Sequence, residues 1–127
     1  MSRRAAREAA LRALFAMDMG GERLEPEDLR PEDYRFFAEL VAGASARRGE
    51  LDSLIEGHAE GWPLHRMAVV DRNLLRLAVH ELTAEPKTPA AVVINEAVEL
   101  AKAYGTAETG KFINGILGRI AREGGGP

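Results

Sequence analysis

The chain has 127 residues, enough to bury a core as one domain, and 46% hydrophobic with 29% charged residues excludes a disordered tract. Without cysteine it has neither a disulfide framework nor a thiolate zinc site. A net charge of −3 excludes a polycation, but the charge is uneven: Met1 to Arg12 holds Arg3, Arg4, Arg7 and Arg12 against Glu8 alone, while Glu22 to Glu39 is acidic on balance.

Ser2 is expected to cap the first helix. Its arginines recur at three- and four-residue spacing, and Ala6, Ala10, Leu14 and Met17 form the opposite, apolar side. Gly20-Gly21 ends it. Pro31, followed by Glu32 and Asp33, opens a second helix with an apolar stripe of Tyr34, Phe37, Leu40, Val41 and Ala44. Gly49 is expected to separate it from a third helix carrying Leu51, Leu54, Ile55 and His58. Trp62-Pro63 breaks the chain before a stripe of Met67, Val70, Leu74, Leu77, Ala78 and Leu82. Pro86 and Pro89 stop that helix, and Thr88-Pro89 reads as an N-cap followed by a first helical residue. The next helix carries Val93, Ala97, Leu100, Ala101 and Tyr104, and Gly105 is expected to close it in a left-handed conformation. The last runs from Ala107 to Arg122, with Phe112, Ile113, Ile116, Leu117 and Ile120 inward. Residues 124–127 form a glycine-rich tail.

These elements predict an all-α bundle of six or seven helices in one domain over residues 1–123, without internal repeats. No run approaches the roughly eighteen apolar residues of a membrane span. Arg7, Glu8 and Arg12 interrupt the stretch a signal peptide would need, so the expected location is cytoplasmic.

Catalytic apparatus is not evident. His58, His65 and His80 do not pair at helical spacing, so no metal site is expected. There is no phosphate-binding glycine loop, and Ser45 and Ser53 lack a nucleophile-elbow context. The expectation is a protein that is not an enzyme and holds no cofactor. The basic first helix is the positive feature. Arginine pairs with phosphate through two parallel hydrogen bonds and stacks on bases, so Arg3, Arg4 and Arg7 fit an RNA surface. The alternative is a solvated helix face. Phe15 and Phe112 could stack bases, although their pattern alone favours the core.

Three blocks resemble the NusB family of bacterial transcription antitermination factors over nearly the full length. They are the arginine-rich opening from Arg3 to Phe15, the stretch from Val70 to Leu82, and the pair Val93–Lys102 with Lys111–Leu117. The last pair, reading VINEAVELAK and then KFINGIL, is the most specific. The resemblance implies two helical subdomains around the first helix. It implies binding of single-stranded boxA RNA from ribosomal RNA leaders together with NusE, a ribosomal small-subunit protein. The complex joins RNA polymerase with other Nus factors and suppresses premature termination. Relatives occur as monomers and dimers, and a homodimer would be able to cover the RNA face.

Carried onto this chain, the resemblance places RNA contacts at Arg3, Arg4, Arg7 and Phe15, where relatives often have tyrosine. It adds Glu108, where some relatives have aspartate, with Lys111 and Phe112. It implies a NusE contact at Asp71. Asn95 and Asn114 are expected to hydrogen-bond backbone, and Gly115 to let helices approach closely. Two other readings stand beside it: a helical protein-interaction domain with merely solvating arginines, and the RNA-binding domain of a methyltransferase. The length leaves no room for a cofactor-binding sheet and disfavours the second.

Overall fold

The computed structural model describes residues 3–84 and 88–123. Among them are six α-helices and no strand: α1 (Arg4–Asp18), α2 (Pro31–Ala46), α3 (Arg48–His58), α4 (Val69–Ala84), α5 (Ala90–Tyr104) and α6 (Ala107–Glu123). A short 3-10 turn, Leu64–Arg66, precedes α4. Ser2, Pro86 and the 124–127 tail lie outside the described residues.

Local chemistry explains most helix ends. Beyond α1, Gly20 takes φ +92°, and the Gly20 and Gly21 N–H groups donate back to Met17 and Ala16. This is a Schellman closure, which satisfies carbonyls that a helix end leaves bare. Pro31 is the first residue of α2, and Glu32 and Asp33 sit in its positive first turn. Thr106 and Thr109 exchange backbone-to-hydroxyl hydrogen bonds of 3.3 and 3.4 Å at the start of α6.

Three boundaries differ from the sequence reading. The break between α2 and α3 falls at Arg47, and Gly49 lies inside the first turn of α3, where glycine is costly but tolerated. Pro89 occupies the cap position itself, with the helix beginning at Ala90 and no side-chain cap. Gly105 is not left-handed, with φ −142° and ψ −129°. Space selects glycine there: an added Cβ would lie 2.8 Å from the Thr109 hydroxyl and 3.1 Å from the Ala101 carbonyl oxygen.

Helix α4 is the hub. It packs against α1, α2, α3, α5 and α6, and every residue from Asn73 to Glu81 is buried. It is therefore enclosed on all sides, more than a single amphipathic stripe suggests. The buried side chains of all six helices form one continuous cluster, so the two-part division implied by the resemblance leaves no seam in the core.

The polar groups of α4 are answered by other helices. Asp18 of α1 accepts hydrogen bonds from Arg72 (2.8 Å), Asn73 (2.7 Å) and Arg76 (3.1 Å), and Arg76 also donates to Asp52 of α3 at 2.7 Å. His80 meets Arg47 at 2.9 Å, and Glu81 meets Arg7. Gly43 of α2 lies against the His80 ring, where an added Cβ would collide with the imidazole.

Candidate nucleic-acid interface

The exposed side of α1 is set by what its buried side must do. Ala6, Ala10, Leu11, Ala13 and Leu14 face the core, where the small alanines let α1 approach α2 and α4. Arg7 belongs to the same buried side, at 6% exposure, and its guanidinium makes a two-pronged pair with the Glu81 carboxylate, which is 1% exposed. It also lies over the Phe36 ring at 5.2 Å. A guanidinium committed in this way is not presented to a phosphate, which removes Arg7 from the expected RNA surface. An arginine row at helical spacing does not reveal which member turns inward; Glu81, whose role sequence reasoning missed, decides that.

Arg3 and Arg4 are exposed. The Arg3 guanidinium rests 4.0 Å from the centre of the Phe36 ring, and among the described residues it has no carboxylate partner. Arg4 donates to both oxygens of Glu96 on α5 at 2.9 and 3.0 Å. This hydrogen bond, more than charge alone, holds the Glu96 carboxyl below its ordinary pKa. The pair fixes the direction of Arg4 while leaving its side chain about half exposed.

Two turns further on, Arg12 Nε donates to the Tyr104 hydroxyl at 3.2 Å, and that hydroxyl donates to Glu8 at 2.6 Å. Burial first, then the Glu8 bond, raises the Tyr104 pKa and keeps its proton in place. Arg4 reaches residue 96 and Arg12 reaches residue 104, so α1 and α5 run parallel, bridged by long side chains. The turn at Gly105 then brings the start of α6 to the end of α1 that carries Phe15, away from Arg3 and Arg4.

Phe15 is 39% exposed, against the core position its pattern favours. With Leu11, Arg12, Leu24, Val70 and Tyr104 it lines a largely apolar groove of about 390 Å³. A second groove, of about 270 Å³, is lined by Trp62, Arg66, Asp71, Glu108 and Phe112 among others. Successive residues of α4, Val70 and Asp71, line the two. Glu108 and Phe112 therefore share a groove with Asp71, so the residues assigned to RNA and to NusE meet there. Burial raises the Asp71 carboxyl above its ordinary pKa, and among the described residues it has no hydrogen-bond partner. Lys111 is exposed on the neighbouring turn of α6. Trp62, 52% exposed beside Asp71, went unread as a surface residue because Trp62-Pro63 reads first as a chain break.

Asn95 and Asn114 are exposed and bond no backbone among the described residues, contrary to expectation. An added Cβ at Gly115 would meet only the Arg119 guanidinium at an ordinary 3.6 Å, so no close helix approach depends on that glycine. The described residues contain no group of three His, Asp or Glu side chains placed to hold a metal. None of their helices is long and apolar enough to cross a membrane.

A family model, the NusB family, matches residues 4–122. The chain belongs to the NusB family. The transcription antitermination protein NusB of Koribacter versatilis is 46% identical over 131 residues, covering 96% of this chain and 90% of the relative. That of Symbiobacterium thermophilum is 44% identical over 138 residues, with the same two coverages. Among solved structures, NusB of T. maritima superposes with a TM-score of 0.86 at 38% identity, over 97% of this chain and 92% of that one. A crystal structure of the antitermination factors NusB and NusE in complex with double-stranded RNA gives 0.86 at 32% identity, over 95% and 96%.

Proposed function

We propose that this family member is a non-enzymatic transcription antitermination factor that works in the cytoplasm. In this reading it binds boxA-type single-stranded RNA together with NusE. The complex helps RNA polymerase, with other Nus factors, read through terminators, notably in ribosomal RNA operons. The observation that carries the reading is the strip of exposed and half-exposed residues along α1: Arg3 and Arg4 at one end, Arg12 and Phe15 at the other. Beyond Phe15 lie Lys111 and Phe112 of α6. Arg12 follows Arg3 by nine positions, a helical rise of roughly 13 Å, a length suited to successive phosphates of a strand. Support comes from the relatives, which carry the antitermination name, and from the similar fold solved with NusE and RNA.

Asp71 is the proposed NusE contact. A half-buried carboxylate without a partner is costly alone and favours a cationic side chain arriving from outside. The test is a titration of boxA-type RNA with and without NusE, at several salt concentrations. NusE should raise RNA affinity in the native protein, and Asp71→Asn should reduce that gain. Equal affinity with and without NusE would remove the cooperative part of the proposal. Undetectable RNA binding under both conditions would leave the protein-interaction reading standing instead.

A further inference from the structure

The groove at the end of α1 has a composition that phosphate binding does not explain. Its walls are apolar and aromatic, with Phe15, Leu24 and Tyr104 all exposed. Its polar groups are those of Arg12 and Tyr104 on one rim, and Glu8, which lines the adjoining groove, completes a chain with them. Within that chain the atoms are partly spent. Arg12 gives Nε to the Tyr104 hydroxyl, and Nη2 lies 3.7 Å from the Glu8 carboxylate. Neither Nη1 nor Nη2 makes a hydrogen bond among the described residues, and the side chain is 64% exposed. One Glu8 oxygen accepts the hydrogen bond of the tyrosine hydroxyl, and the other has no hydrogen-bond partner among the described residues.

The rim therefore offers two donors beside one acceptor, above a surface on which a flat ring can lie. Among the bases, guanine carries the matching edge: O6 and N7 accept from an arginine fork, and the adjacent N1–H donates to a carboxylate. Uracil lacks the paired acceptors, and adenine puts a donor where O6 would be. Cytosine offers O2 and N3 beside N4–H, and guanine is preferred over it for the larger ring it lays against Phe15. The volume of about 390 Å³ falls within the range that holds one ligand of this size. The groove also continues the exposed α1 strip, so a strand tracked by Arg3 and Arg4 would reach it.

We propose that this groove takes one unstacked guanine of the bound RNA, its ring against Phe15 and its edge read by Arg12 and Glu8. Tyr104 is a positioning residue: its hydroxyl holds Arg12 and Glu8 in register. The inference rests on the RNA-binding reading above and adds base choice to it.

The test uses fluorescence anisotropy with the full chain and short oligouridine strands carrying one guanine, one 7-deazaguanine or none. Native protein should bind the guanine strand roughly tenfold more tightly than either other strand. Arg12→Gln should bring the three affinities together, and Tyr104→Phe should narrow the gap. Both positions are exposed, and circular dichroism should confirm unchanged helicity. Native protein that binds all three strands equally overturns the guanine assignment while leaving RNA binding intact. So does an Arg12→Gln variant that keeps the full preference. If Arg12→Gln kept that preference but lost NusE, the groove would hold a protein side chain and the assignment would fall. Failure of the native protein to bind these strands or boxA-type RNA would overturn the RNA reading itself, and this inference with it.

Discussion

The Arg7 guanidinium and the Glu81 carboxylate meet in the interior between α1 and α4, with Arg7 Nε donating at 2.9 Å and a second nitrogen donating to the other oxygen. Both ends of the pair are satisfied, and the Phe36 ring covers the guanidinium. Removing one partner strands a buried charge. Arg7→Ala or Glu81→Gln should each lower unfolding stability by about 3–5 kcal/mol in a denaturant titration. The double replacement by methionine should cost much less than the two single changes together. Single variants with native stability would show that the pair is not closed to water.

Gly43 is expected to be intolerant for a different reason. A methyl group there meets the His80 ring, which Arg47 already holds. Gly43→Ala should cost about 1–3 kcal/mol through overpacking, despite its better helix propensity. Adding His80→Ala should make the double loss smaller than the sum, the mark of two residues sharing one space. A stabilised Gly43→Ala variant would mean that α2 moves away from α4 at little cost.

Two groups make stability depend on pH in opposite directions. Asp18 is held well below its ordinary value of 3.8, first by the hydrogen bond from Arg72. Its contribution is present above that value and disappears as acid carries the pH down through the lower folded value. Asp18→Asn should cost about 3 kcal/mol at neutral pH and flatten this acid limb. His58 is raised above 6.5, first by donating to the Leu54 carbonyl and then by facing Glu123. Its stabilisation is complete below pH 6.5 and fades as the pH rises through the folded value. Since Glu123 is largely exposed, the effect should stay under about 1 kcal/mol. Thermal melts of His58→Gln and the parent should therefore converge on the alkaline side.

Arg3 and Arg4 give the RNA proposal its sharpest electrostatic test. Arg3→Ala and Arg4→Ala should each weaken binding to boxA-type RNA. Each should also lower the slope of log affinity against log salt by about 0.7, the counterion release of one phosphate contact on a single strand. Helicity should not change, because both side chains are exposed. Unchanged slopes in both variants would move the phosphate path off this end of α1.

The amino-acid sequence by itself determined the helices and the family. Spacing, Pro31 and Gly20 carry local information, and local information sets helix position. The blocks around Asn95-Glu96 and Lys111–Leu117 carried the family. Helix boundaries failed where the reason was an approach in space, as at Gly105. Only the tertiary structure decided which charges are surface and which are interior. Arg3, Arg4, Arg7 and Arg12 look alike along the chain, yet Glu81 draws Arg7 inward while Glu96 and Tyr104 hold Arg4 and Arg12 at the surface. Phe15 looks like core and is exposed, because α5 lies parallel to α1 across long side chains and leaves a groove between them. These outcomes depend on partners tens of residues away, and burial of a charge is favourable only where such a partner arrives.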